Sequence, residues 1–258
     1  MRALILIALA VAPASATAQI YQRPAAPTER TEERRLYGGE SSTKLADIER
    51  REVVSKFANC IVRRRHDEVA GVILNDETNR EILQRHRRLI DGDCLKTTSG
   101  GWLEARFPGD TLRYALAEAL VRTDFATSFP PGITSTAPLS HHEVDAEWFT
   151  PPPGKKLKPK DLAELERRKN DTYAFAYLTQ FGECVVRADP LMAHRLLLTR
   201  ALTDDETIAF KSLAPKLSGC LGAGATFKAN KATMRGTIAH NFYRLAKAPR
   251  LPFPGVTH

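Results

Sequence analysis

A run of histidines and acids at residues 140–145 carries the side-chain types that are best suited to chemistry. It reads Ser-His-His-Glu-Val-Asp. Imidazole and carboxylate groups bind zinc and copper, so His141, His142 and Glu143 are candidate metal ligands. Adjacent residues on an extended strand, however, rarely converge on one ion. The favoured interpretation is a solvated linker, and no cofactor is predicted.

Other familiar catalytic and cofactor patterns are absent from the sequence. It contains no Cys-x-x-Cys pair, no His-Glu-x-x-His pattern, no Gly-x-Ser-x-Gly turn and no Walker loop. Gly222-Ala-Gly224 lacks the spacing that surrounds a phosphate, so a turn is predicted there. Four further histidines are expected on helices, at the surface or half-buried: His66, His86, His194 and His240.

Four cysteines fall into two pairs of nearly equal spacing, Cys60 with Cys94 and Cys184 with Cys220. Three pairings are formally possible, and the internal repeat described next favours these two. Closing a loop of this length stabilises a fold by about 4 kcal/mol on the chain-entropy model. A glycine shortly before the second cysteine of each pair is expected to end a helix in the left-handed conformation: Gly92 and Gly219.

The residues around Cys60 recur around Cys184. Phe57-Ala-Asn-Cys-Ile-Val-Arg63 matches Phe181-Gly-Glu-Cys-Val-Val-Arg187. Further matches follow in the same order, with small insertions: Val72–Leu74 with Leu196–Leu198, Asp76–Thr78 with Asp205–Thr207, Leu112-Arg113 with Met234-Arg235, Ala117 with Ala239, and Arg122 with Arg244. Several matches that keep one order predict an internal duplication.

Arginine is the charged residue that the two copies share. The pairs are Arg63 and Arg187, Arg113 and Arg235, and Arg122 and Arg244. The favoured interpretation is charge on helix surfaces, or pairing with acids near helix ends. The alternative is a pair of equivalent sites in which these arginines contact an anion, because the guanidinium fork suits carboxylate and phosphate.

Apolar residues recur at helical spacing, which predicts a mainly α protein. We expect two tandem four-helix units, each with one disulfide and one short extended segment. The extended segments, Trp102–Phe107 and Gly222–Asn230, are proposed to pair with each other. In chain order the expected segments are a signal peptide (1–18), a disordered leader (19–42), helical unit 1 (43–124), a Pro-rich linker (125–160), helical unit 2 (161–247) and a loose tail (248–258).

The first 18 residues have the features of a secretory signal. A positive start is followed by an apolar run, Ala3–Ala12, and by the small residues Ala16 and Ala18. The run is too short to span a bilayer comfortably, and no transmembrane segment is predicted in the mature chain. Export to the periplasm or the medium agrees with paired cysteines, because disulfides persist in oxidising compartments.

Charge indicates what kind of partner the chain would meet. The formal net charge is +8, which favours anionic surfaces. Basic stretches lie at Arg63–His66, Arg85–Arg88 and Lys155–Lys160. The aromatic residues that single-stranded nucleic-acid binding would need do not interleave with them, so no specific nucleic-acid binding is expected.

The pattern Phe-x-x-Cys-Val-Val-Arg at 181–187, a later cysteine and an alanine-rich helix with arginines resemble exported proteobacterial proteins without an assigned function. The resemblance covers both units and implies no catalytic residues. The leading hypothesis is an exported, non-enzymatic binding module. The sequence does not identify its partner, for which an envelope protein and an anionic surface are the candidates. The alternatives are an envelope-acting hydrolase with an unrecognised site, and an electrostatic binder of anionic membranes or polymers.

Overall fold

The computed structural model describes residues 20–21, 40–95, 104–105, 110–151, 157–221 and 230–249. The predicted signal peptide lies outside the described residues, as do most of the predicted leader and tail. Within the described ranges the protein is mainly α-helical, as predicted. The helices are α1 (Glu40–Leu74), α2 (Asn79–Arg85), α3 (Thr111–Phe125), α4 (Pro159–Ala188), α5 (Pro190–Leu198), α6 (Asp204–Gly219) and α7 (Lys231–Lys247), with 3₁₀ turns at Arg87–Leu89, Gly92–Leu95, Ile133–Ser135 and Ala146–Phe149.

Both long helical stretches break after their cysteine. Within α1, Arg65 has non-helical backbone angles (φ −143°, ψ 44°), so α1 is two helices joined at a kink. In the second half, α4 ends and Asp189 (φ −156°, ψ 80°) separates it from α5. The Asp189 side chain accepts a hydrogen bond from the N–H of Met192, and Pro190 occupies the first position of α5, where its missing N–H costs nothing. Local sequence therefore explains the second break.

Threonine side chains begin α2 and α6. Thr78 accepts a hydrogen bond from the N–H of Glu81, and the Glu81 carboxylate accepts one from the N–H of Thr78, at 2.9 Å. Thr203 likewise accepts from the N–H of Glu206. The Glu206 carboxylate accepts from the N–H of Leu202, at 2.8 Å. Such caps satisfy N–H groups that have no partner inside the helix.

These caps correct one part of the proposed repeat. The sequence matched Asp76–Thr78 with Asp205–Thr207, but Thr207 lies inside α6, whose cap is Thr203. Asp205 is exposed, whereas Asp76 is buried. The glycine caps were also wrong, since Gly92 lies in a 3₁₀ turn and Gly219 in α6, and neither has a positive φ.

The two predicted disulfides are confirmed. Cys60 is bonded to Cys94, and Cys184 to Cys220, each with a Cα–Cα separation of 5.7 Å. The first bridge links α1 to the 3₁₀ turn at Gly92–Leu95, and the second links α4 to the residue that follows α6. Each bridge therefore fixes a chain segment that follows a helix onto the long helix of its own half.

Helices α3 and α7 pack against each other at the centre of the protein, with α1 against α3 and α4 against α7. Side chains from both predicted units form one continuous apolar core. The helices approach closely at Gly182 and Gly236. A Cβ atom at Gly182 would lie 2.7 Å from the carbonyl oxygen of Thr237, and one at Gly236 would overlap the side chain of Tyr114. No described helix has both the length and the apolar character to cross a bilayer.

One two-stranded pairing is present in the described residues. Strand β2 (Glu104–Ala105) pairs antiparallel with β1 (Ile20–Tyr21). β2 lies inside the predicted extended segment Trp102–Phe107, and its partner in this pairing comes from the predicted leader. Residues 222–229 lie outside the described residues. A strand needs a partner for its backbone groups, and here the residues just after the predicted signal peptide supply it.

Candidate functional site

Residues 126–150, here called the connecting segment, dock on the helices and do not form a free spacer. Ile133 and Thr136 are buried. The Arg187 guanidinium donates to the carbonyl oxygens of Thr136, at 3.1 Å, and Ala137, at 2.6 Å. Because proline-rich backbone has many carbonyls without helical partners, an arginine that projects from α4 can satisfy several of them.

Glu183, one turn before Arg187 on α4, continues this docking. Its carboxylate accepts from the N–H of Leu139 at 3.0 Å, from Arg187 Nε at 2.7 Å, and lies 2.6 Å from His141 Nε2. Burial raises the pKa of Glu183, but the hydrogen bonds from His141, Leu139 and Arg187 outweigh it and lower the pKa to about 2. The carboxylate is thus ionised at any physiological pH.

A second carboxylate, Asp76, lies in the interior, where helices from both halves meet. It follows α1 in the left-handed backbone region (φ 56°), which aspartate tolerates better than most residues. Its carboxylate lies 2.7 Å from His240 Nε2, 3.3 Å from Arg113 Nη1 and 3.2 Å from Arg244 Nη1. Burial raises the pKa of Asp76, and the hydrogen bond from His240 with the charges of Arg244 and Arg113 lowers it below its ordinary value.

His240 is neutral in this cluster. Its side chain is fully buried, and burial with the charge of Arg113 lowers its pKa to about 3, against the opposing effect of Asp76. A neutral imidazole that faces a carboxylate donates its N–H to it. The same cluster contacts the connecting segment: His142 Nε2 lies 2.7 Å from the Asp76 carbonyl oxygen, and Arg244 Nη2 donates to the Ser140 carbonyl at 2.7 Å.

The second half contains a comparable buried carboxylate, Glu206, which is 1% exposed. Arg235 Nη1 lies 3.2 Å from it, and Arg235 Nε lies 3.0 Å from Glu118. Arg122 contacts Glu118 at 2.9 Å. Both Arg122 and Arg235 donate to the carbonyl oxygen of Leu197. This cluster joins α3, α5, α6 and α7.

The arginines that the repeat singled out thus have four different environments. Arg113 and Arg235 are fully buried and not on a helix surface. Arg244 and Arg122 each cross to the other half, Arg244 to Asp76 and Arg122 to backbone carbonyls at the end of α5, while Arg187 holds the connecting segment. Arg63 alone is exposed, and its side chain makes no ion pair or hydrogen bond with another described residue. For Arg113, Arg235 and Arg244, the anion they contact is a carboxylate of this chain.

The predicted metal candidates do not converge. The His141 ring faces Glu183, the His142 ring faces the Asp76 carbonyl, and Glu143 is exposed. In the part of the chain that the structure describes, no group of three or more histidine, cysteine or acidic side chains is placed to hold a metal ion.

An open groove lies between the connecting segment and α4, with a volume of about 670 Å³. Aromatic and neutral polar side chains dominate its lining, with Glu143 as its one carboxylate. The lining residues are Leu139, Ser140, His141, His142, Glu143, Val144, Tyr173, Ala176, Tyr177 and Gln180. The sequence run that suggested a metal site therefore forms one wall of a groove.

Sequence reasoning missed the two carboxylates and the histidine on which these contacts depend. Asp76, Glu183 and His240 were not singled out as site residues, and His240 was expected to be at most half-buried. One signal was available for His240: it stands among apolar residues of α7, and Ile238, Ala239 and Phe242 are all buried. A polar residue inside such a run needs an internal partner.

Replacing the buried Asp76 tests the first cluster. Asp76→Asn removes the charge that offsets Arg113 and Arg244, and breaking a buried ion pair in this way costs about 3–5 kcal/mol. Asp205→Asn is the matched control, since the exposed Asp205 should change stability by less than about 0.5 kcal/mol. Urea denaturation of both variants measures the difference. Equal and small effects would contradict a structural role for the Asp76 cluster.

Glu183 gives a pH-dependent prediction. Its pKa is about 2 in the folded chain, below the ordinary 4.5, so its stabilisation is present above pH 4.5 and is lost as the pH falls towards 2. Glu183→Gln should lower the free energy of unfolding at neutral pH by up to about 3 kcal/mol. The difference in the free energy of unfolding between Glu183→Gln and the wild type should narrow as the pH falls from 4.5 towards 2. Denaturation at several pH values tests this, with Glu166→Gln, an exposed acid of α4, as control; a gap independent of pH would refute it.

Comparison with known proteins does not assign a function to these residues. No protein-family model matches the chain, and no curated protein and no solved structure is significantly similar to it. The function is therefore argued from the clusters, the groove and the surface.

Proposed function

We propose that this chain is an exported, non-enzymatic binding module whose ligand lies in the groove between the connecting segment and α4. The observation that carries the proposal is the groove itself. It is open to solvent, and hydrogen bonds of Glu183 and Arg187 on α4 hold the connecting segment, its other wall, in place. A concave surface that combines apolar and aromatic faces with a few fixed polar groups is what small-ligand and peptide sites have in common.

The two disulfides support export. Bridges persist in oxidising compartments and are rare in the cytosol. The features of residues 1–18 point the same way, with small residues at Ala16 and Ala18 before a proposed cleavage. The duplicated sequence pattern is consistent with the two clusters, each of which contains a buried acid and an arginine from the centre of the bundle.

The titration of Glu183 and His240 argues against a role for these two groups in acid–base catalysis. A general acid or base works best when its pKa lies near the operating pH. Glu183 has a pKa of about 2 and His240 a pKa of about 3. Neither group exchanges a proton near neutrality, and both hold chain segments together. This pattern is typical of structural ion-pair networks.

An envelope-acting hydrolase is the second candidate, and one observation favours it. His141 lines the groove with Glu183 held against its ring at 2.6 Å, as a carboxylate orients a catalytic imidazole. That reading requires His141 to activate a water or a nucleophile in the groove. The two candidates therefore predict different effects of His141→Gln: loss of hydrolysis for the hydrolase, and no change in hydrolysis for the binding module.

Export predicts a defined mature form. Protein recovered from the periplasm or the medium should lack residues 1–18, and its four cysteines should resist alkylation until a reductant is added. Intact mass spectrometry with and without reduction measures both properties. A chain that keeps residues 1–18, or that carries reactive thiols, would contradict export.

Filling the groove tests the binding function. Gln180→Trp places a large ring at the exposed edge of the groove, whereas Ser212→Trp adds the same ring on the exposed face of α6. Retention of the mature protein by purified, lipid-free peptidoglycan should fall at least about tenfold for Gln180→Trp, a loss of about 1.4 kcal/mol. Ser212→Trp should leave retention unchanged.

Product release from the same peptidoglycan separates the two candidates. A binding module releases no soluble fragments, and His141→Gln changes nothing in that respect. Fragments that the wild type releases and His141→Gln does not would establish the hydrolase instead. Retention that is unaffected by Gln180→Trp would refute the groove as the site.

A further inference from the structure

Several contacts bring together two basic stretches of the first half, Arg63–His66 and Arg85–Arg88. The Cys60–Cys94 bridge, the ion pair of Arg64 with Asp91 at 3.2 Å, and the contact of His86 with Glu68 at 3.4 Å join α1 to residues 86–94. The stretch after α2 therefore lies along α1 on both sides of its kink, and the cations of both stretches share one region of the surface.

The carboxylates of this region are already paired. Glu68 contacts Arg65, Glu81 contacts Arg85, and Asp91 with Asp93 contacts Arg64. The exposed Asp67 lies beside His66. Among the residues that the structure describes, five exposed cations have no carboxylate partner: Lys56, Arg63, Arg80, Arg87 and Arg88. We call these five residues the basic face.

Two exposed leucines belong to the same helices as cations of the basic face, Leu74 to α1 and Leu83 to α2. Leu74 and Leu83 are each 41% exposed. Leu83 lies three positions after Arg80 on α2, so the two side chains share one side of that helix. Between residues 51 and 95 the only phenylalanine, tyrosine or tryptophan is Phe57, and it is buried. The five cations and the two leucines therefore offer charge and aliphatic surface, and none of them carries an aromatic ring on which a base could stack.

We propose that the basic face binds the phosphate groups of an anionic lipid surface. Guanidinium forks match phosphate oxygens, and clustered cations concentrate at a negatively charged leaflet. Leu74 and Leu83 would contact the boundary between headgroups and acyl chains, which a soluble polyanion does not offer. This surface is distinct from the groove, so the inference holds whether or not the groove binds a ligand.

Vesicle sedimentation of the mature, oxidised protein tests the proposal. The vesicles contain phosphatidylethanolamine with phosphatidylglycerol, or phosphatidylcholine alone. Binding to the anionic vesicles should weaken roughly fivefold for each cation removed, so the quadruple variant R63Q/R80Q/R87Q/R88Q should lose association almost completely. Phosphatidylcholine vesicles should not bind either protein.

The matched control removes the same charge elsewhere. R168Q/R195Q/K211Q/K216Q neutralises four exposed cations of α4, α5 and α6, and it should retain most of the binding. Equal losses in the two quadruple variants would overturn the proposal, because net charge alone would then explain the association. Binding that is unchanged at about 1 M salt, where charges are screened beyond about 3 Å, would overturn it as well.

Leu83→Ser separates a lipid surface from a soluble phosphate polymer. It keeps the charge of the face and removes an exposed apolar side chain, so vesicle binding should fall while binding to inorganic polyphosphate should not. Polyphosphate binding as tight as vesicle binding, with no effect of Leu83→Ser on either, would assign the face to soluble polyanions. Circular dichroism of each variant confirms that the helices are intact.

Discussion

The fold depends on the cost of burying the Asp76 carboxylate. An unpaired charge in the interior destabilises a fold. Here His240, Arg113 and Arg244 lie 2.7–3.3 Å from the carboxylate and compensate for its burial. The partners come from α3 and α7, so the carboxylate can be satisfied only when these helices and the end of α1 are all in place. Once formed, the cluster also holds the connecting segment through the Asp76 carbonyl and Arg244.

The two halves of the chain are interdependent, because charged and polar groups of one half have their partners in the other. Arg244 of the second half neutralises an acid of the first, and Arg122 of the first half satisfies carbonyls of the second. The packing of α3 on α7 and one continuous core join the two halves as well. The connecting segment then lies over α4, and the groove exists because that segment docks.

Buried charge and exposed charge therefore have different uses in this protein. The buried carboxylates have pKa values that burial alone would raise, yet hydrogen bonds hold them ionised, which suits structure better than proton transfer. The exposed cations of the basic face have no such partners in the part of the chain that the structure describes, and the further proposal gives them an external anion. The groove and the basic face are consequently the two surfaces on which the proposed binding functions rest.

Sequence alone determined the features that depend on neighbouring residues. Helical periodicity, the Thr78 cap, the break at Asp189-Pro190 and the two disulfide pairs were all predictable, because their causes lie within a few residues or within a repeated pattern. Only the tertiary structure decided the rest. The burial of Asp76 and His240, the exposure of Asp205 and the docking of the proline-rich segment depend on which helices approach each other, and contacts such as His240 with Asp76 join residues too distant for any local pattern to reveal.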